Sequence, residues 1–121
     1  MGDLGNKIRQ NVQMPRQRNE AEQVYGMRLE AVRRALGFEK IRSFAEALNI
    51  HEDTYRAWER GDNMVPPSAI TILFDLYGVD HNWIYLGDPS RLPYDLASAM
   101  PAKLFREPRK LPPAPPIRKR A

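Results

Sequence analysis

The chain has 121 residues and a net charge of +4, room for one domain, and its 11 prolines crowd toward the C-terminus, so part of it lies outside any core. It has no cysteine, and two histidines, His51 and His81, cannot complete a zinc site unaided; disulfide frameworks and thiolate metal centres are excluded, and no cofactor is expected. No apolar stretch approaches a membrane span, and Met1 to Asn19 lacks the apolar centre of a signal peptide, which makes a reducing cytoplasm the simplest setting.

Where the charge sits matters more than its sum. Residues 26–90 hold seven basic and ten acidic side chains, a net of −3, whereas residues 91–121 hold eight and two, a net of +6. The total suits a polyanionic partner, but the positive charge is carried mainly by the C-terminal tail.

Residues 1–19 have no sustained apolar period and read as a flexible arm carrying Lys7, Arg9, Arg16 and Arg18. Asn19 suits an N-cap, and Tyr25, Leu29, Val32 and Leu36 recur at helical spacing, predicting a helix from about Glu20 to Leu36 that Gly37 stops; Gly26 offers a later start. A second helix has Ile41, Phe44, Ala45 and Leu48 on its apolar face, a tight turn falls at Asn49, and a third helix closes with Trp58-Glu59-Arg60-Gly61. Two short helices this close pack crosswise, which leaves the second free to enter a groove.

After a loop from Asp62 to Pro67, Ser68 is the expected cap of a fourth helix whose buried face is Ile70, Leu73, Phe74 and Tyr77, ending at Gly78. Asp80 can cap a fifth helix, His81 to Leu86, that buries Trp83 and stops at Gly87. The domain so defined covers residues 20–90. A short sixth helix is available around Tyr94 to Met100, within residues 91–100. From Pro101 the composition reads as a disordered, proline-rich basic tail over residues 101–121.

With this helix order, the turn and Trp58-Glu59-Arg60-Gly61 in place, the chain resembles the XRE, Cro and phage-repressor-like helix-turn-helix family over about residues 22–88. Gly78-Val79-Asp80-His81-Asn82-Trp83-Ile84-Tyr85-Leu86-Gly87 is similar to that family's closing Gly-Val-Ser-x-Asp-Trp-Leu-Leu-x-Gly, and two separated motifs agreeing is more specific than either alone. The resemblance implies an all-α, five-helix, lambda-repressor-like domain with flexible termini. It also implies a sequence-specific regulator of transcription, a repressor, that binds double-stranded DNA as a homodimer.

By the same resemblance Arg33 pairs with Glu59 inside the domain, with an exposed surface pair as the alternative. The outward residues of the third helix are then Glu52, Asp53, Thr54, Arg56 and Ala57, with Tyr55 and Trp58 turned inward. Arg56 can take guanine O6 and N7, Glu52 or Asp53 can accept from cytosine N4, and Thr54 can touch a thymine methyl or a phosphate. Glu52 and Asp53 can equally serve the helix dipole beside the weak cap His51. Lys40, Arg42, Arg60 and Asn63 are the candidate phosphate contacts, with Arg42 standing in for the glutamine the family often places where Ile41 lies. Ile84 and Tyr85 are candidates for a dimer surface, and both suit a core equally well.

The acidic residues at the groove face favour a rival class: a protein-interaction module, antitoxin-like or an anti-repressor adaptor, that keeps the fold and binds DNA weakly. An enzyme is not expected, because no metal-ligand spacing, phosphate-cradling glycine loop or nucleophile-base pair is visible.

Overall fold

The computed structural model describes residues 19–107, beginning at a side-chain cap. Asn19 Oδ1 accepts from the Ala21 amide at 2.8 Å, and α1 runs Glu20–Ala35. Gly26 does not delay its start. A Cβ at that position would stand 2.4 Å from the carbonyl oxygen of Glu59 and 2.5 Å from that of Trp58, so the missing side chain is what lets α1 cross the end of α3 (Glu52–Arg60).

α2 spans Ile41–Leu48 and ends at Asn49, which takes the left-handed conformation at φ 57° and is the one non-glycine residue among those described to do so. The chain then passes through Ile50 and His51 into α3. Phe44 of α2 and Tyr55 of α3, both fully buried, meet edge to face at 5.5 Å and hold the two helices across one another.

α4 spans Pro67–Tyr77, and here two expectations are corrected. Ser68 is not its cap: the helix starts two residues earlier than that cap implies, with Pro66 at the cap position and Pro67 in the first turn, where proline's missing N–H costs nothing. Phe74 is not buried but 56% exposed. At about 100° per residue, Ala69, Ile70, Leu73 and Tyr77 share one arc, and Phe74 falls at its edge.

The fifth element, Asn82–Leu86, is wound as a π-helix rather than an α-helix. Asp80 Oδ1 accepts from the Trp83 amide at 3.1 Å at its start. Trp83 and Ile84 are fully buried, and the indole Nε1 donates to the Arg28 carbonyl at 3.2 Å.

Beyond this point the short helix expected around Tyr94 to Met100 forms, and the start of the expected tail is structured as well. α5 spans Tyr94–Ala99 and a single 3₁₀ turn spans Ala102–Leu104. Leu92, Leu96, Met100 and Leu104, four residues apart, are all buried against the preceding helices. Disorder from Pro101 onward is therefore corrected for residues 101–107; residues 1–18 and 108–121 lie outside the described residues.

A buried cation ties this segment down. The Arg28 guanidinium of α1 donates from Nε to the Leu104 carbonyl at 3.0 Å and from Nη1 to the Ile84 carbonyl at 3.1 Å. Both acceptors belong to the ends of short helical turns, where carbonyls carry negative partial charge. Burial lowers the Arg28 pKa, outweighing the opposing influence of Tyr25. Gly87 makes room for the same group: its φ is 72°, and a Cβ there would lie 2.6 Å from Arg28 Nη2. Phe105 then stacks edge-on against Trp83 at 5.9 Å, and the Arg106 amide donates to the Gly87 carbonyl at 3.0 Å. The described residues contain no strand, and the fold is an all-α, lambda-repressor-like helix-turn-helix domain with a helical C-terminal extension.

Candidate nucleic-acid interface

α3 is anchored from within. Tyr55 and Trp58 point into the core, and Arg33 of α1 meets Glu59 through two contacts, Nε to Oε2 at 2.7 Å and Nη2 to Oε1 at 3.3 Å. Their side chains are only 4% and 7% exposed, so this is the buried version of the pair. Arg33 Nη1 also donates to the carbonyls of Phe38 and Glu39, and the Tyr55 hydroxyl donates to Glu59. Desolvation opposes the Arg33 charge, but the bond and charge of Glu59 outweigh it and raise its pKa. The same network, with burial as the first cause, raises the Tyr55 pKa.

Because the inner face is held, the outer one is defined. Asp53 and Thr54 are exposed, while Glu52, Arg56 and Ala57 are half-buried. His51 caps the helix, its Nδ1 accepting from the Asp53 amide at 3.2 Å, which requires that nitrogen to be unprotonated. Arg56 Nη2 donates to Glu52 Oε2 at 2.5 Å, joining two of the five outward residues.

The candidate phosphate contacts flank this face. Lys40 and Arg42 stand at the start of α2, and Arg60 and Asn63 at the end of α3, all exposed. Arg42 lies 3.5 Å from Glu46 and Arg60 3.1 Å from Asp62, so neither cation is uncompensated. Residues 19–107 carry ten basic and fourteen acidic side chains, a net of −4, while the remaining residues carry nine and one, a net of +8.

One of the two residues expected at a dimer surface leaves the candidate interface set. Ile84, expected at a dimer surface, is fully enclosed by its own chain, because the π-wound turn directs it inward beside Trp83. Tyr85 is half-buried: its ring packs edge-on against Tyr25 at 4.9 Å, and its hydroxyl is donated to the Val65 carbonyl. Burial raises its pKa, with Tyr25 adding to the effect.

Sequence reasoning missed Arg28 and the docking of residues 92–104. The signal was present, an apolar residue at every fourth position from Leu92 to Leu104, but Pro93 and Pro101 interrupt it and conceal the period. A groove of roughly 330 Å³ between α1 and the 3₁₀ turn, lined by Met27, Ala31, Pro101 and Leu104 among others, shares no residue with α2 or α3. Among the described residues no cluster of His, Asp and Glu could hold a metal ion, and no helix is long and apolar enough to cross a membrane.

These features are those of a helix-turn-helix domain, with α2 and α3 crossing around Asn49. Residues 29–84 match the helix-turn-helix family model, which supports a DNA-binding domain of the XRE-like helix-turn-helix kind. No curated protein and no solved structure matches the chain.

Proposed function

We propose that the protein is a sequence-specific repressor of the cytoplasm that binds double-stranded DNA as a homodimer, with α3 in the major groove. The carrying observation is that α3 is locked from inside by Arg33, Tyr55 and Glu59 while Glu52, Asp53, Thr54, Arg56 and Ala57 face outward together. Residues 19–107 form the base-reading unit. Its net charge of −4 makes it a poor source of phosphate affinity, so the basic segments on either side supply that part of the binding. The homodimer follows from the two-fold symmetric sites such domains read, and its contacts lie elsewhere than Ile84.

The test is selection from a random duplex library with the full chain, compared with a full-length variant in which Lys7, Arg9, Arg16, Arg18, Arg118, Lys119 and Arg120 are all glutamine. Both select the same two-fold symmetric motif, and the variant loses most of the salt dependence, whose slope scales at about 0.9 per neutralised phosphate. Selection of no motif by the full chain refutes the reading.

A second reading rests on one observation, that Arg42, Arg56 and Arg60 each face a carboxylate of this chain. A protein-interaction module, antitoxin-like or an anti-repressor adaptor, would use such an acidic face on a basic partner protein. Charge reversal at Glu52 and Asp53 separates the two. A DNA reader changes its site preference, whereas an adaptor loses its protein partner and gains only unspecific DNA affinity.

A further inference from the structure

Of the residues that α3 turns outward, Glu52 and Arg56 are tied to each other, one helical turn apart, by the 2.5 Å bond from Nη2 to Oε2. Both side chains remain about two-fifths exposed, so the pair stands on the reading face and not beneath it. The bond has two chemical consequences. Only Nη2 of the guanidinium is engaged, so the fork keeps N–H donors for an outside acceptor. The Glu52 carboxylate is engaged through Oε2 and turned toward Arg56, so the bond fixes its direction along the helix rather than toward a cytosine amino group.

Arginine is a long side chain whose freedom must be given up before a two-point contact can form. A carboxylate that fixes it beforehand reduces that loss. We infer that Glu52 is a positioning residue, which holds Arg56 for a two-point contact with one guanine and reads no base itself. Asp53 and Thr54, both exposed and neither bonded to Arg56, are left as the other contacts at the start of the helix. This inference rests on the major-groove reading above and assigns one of its bases.

Glu52 also opposes binding in general, since its negative charge faces the phosphates once α3 is seated. Positioning and repulsion act in opposite directions, and together they set the outcome of one substitution. Glu52→Gln keeps the shape of the side chain, removes the charge and weakens the hold on Arg56. It should raise affinity for unrelated duplex while lowering discrimination at the base that Arg56 reads. A pair that merely supports the helix surface would show the gain in unspecific affinity from the lost charge but no loss of discrimination.

The experiment uses the full chain, the duplex it selects, and every single base-pair change of that duplex, with wild type, Glu52→Gln, Arg56→Ala and the double variant. Arg56→Ala is expected to cut discrimination at one G·C pair by roughly 5- to 150-fold, the range of a single two-point base contact. Glu52→Gln is expected to weaken discrimination at that same pair, and the double variant to discriminate no worse than Arg56→Ala alone. The inference is overturned if Glu52→Gln changes a different pair, which would make Glu52 a reader itself, or leaves the profile intact. It is overturned too if Arg56→Ala lowers affinity evenly over all duplexes, the signature of a phosphate contact. Selection of no duplex by the wild type would remove the DNA reading itself, an outcome distinct from all of these.

Discussion

Arg33→Ala should bring this domain close to unfolding. The guanidinium makes four donations, two to Glu59 and one each to the carbonyls of Phe38 and Glu39, from a side chain that is 4% exposed. Removing it leaves the Glu59 carboxylate, 7% exposed, with the Tyr55 hydroxyl as its remaining partner. Breaking a buried pair in this way costs about 3–5 kcal/mol. A small domain has only about 5–15 kcal/mol in total.

Urea denaturation followed by the fluorescence of Trp58 and Trp83 measures the loss directly. With a slope of about 1.5 kcal/mol per molar, the midpoint should fall by roughly 2–3 M. The reasoning also sets a control. Replacing both partners, Arg33→Met with Glu59→Met, leaves no unpaired charge and should recover much of the loss seen in the single variant. A loss below about 1 kcal/mol for Arg33→Ala would show that the pair behaves as an exposed one and would refute the argument.

Four further expectations follow from the packing. Gly26→Ala should destabilise by about 1–3 kcal/mol in the same denaturation assay, since the added Cβ meets backbone oxygens at 2.4 and 2.5 Å and that strain exceeds alanine's helix preference; a gain in stability would contradict it. Leu104→Ser should cost about 2 kcal/mol or more and show that residues 101–107 belong to the folded unit, whereas an unchanged melting curve would return them to the tail. Phe74→Ser, at an exposed position, should move stability by no more than about 0.5 kcal/mol, and a large loss would mean that its ring is covered. Tyr55 gives a pH dependence: its pKa is raised in the fold, so above its ordinary value of 10.0 the unfolded chain ionises first and binds fewer protons, and stability falls by up to about 1.4 kcal/mol per pH unit. Denaturation between pH 9 and 11 should therefore show a flatter profile for Tyr55→Phe than for the wild type, and parallel profiles would rule this out.

The helices of the domain were legible in the residues because their signals are local. Caps such as Asn19, stop residues such as Asn49 and Gly78, and apolar spacing from Leu29 through Leu48 act within a turn or two of the chain. The motif around Trp58 and Trp83 was equally plain. What the sequence by itself could not determine depends on distant groups meeting. Gly26 looks like a weak point in a helix until the end of α3 is laid across it, and Arg28 looks like a solvated charge until Leu104 and Ile84 turn their carbonyls toward it.

The candidate interface divides in the same way. That Glu52, Asp53, Thr54, Arg56 and Ala57 lie outward follows from the inward pull of Tyr55 and Trp58, a matter of helical period. That Ile84 is sealed inside and that Leu92 through Leu104 return to the core were decided by tertiary structure alone, whereas the bond from Arg56 to Glu52 lies within one turn of α3. Periodicity ranks positions on one element, but burial and pairing depend on what the other elements bring to it, often from more than fifty residues away.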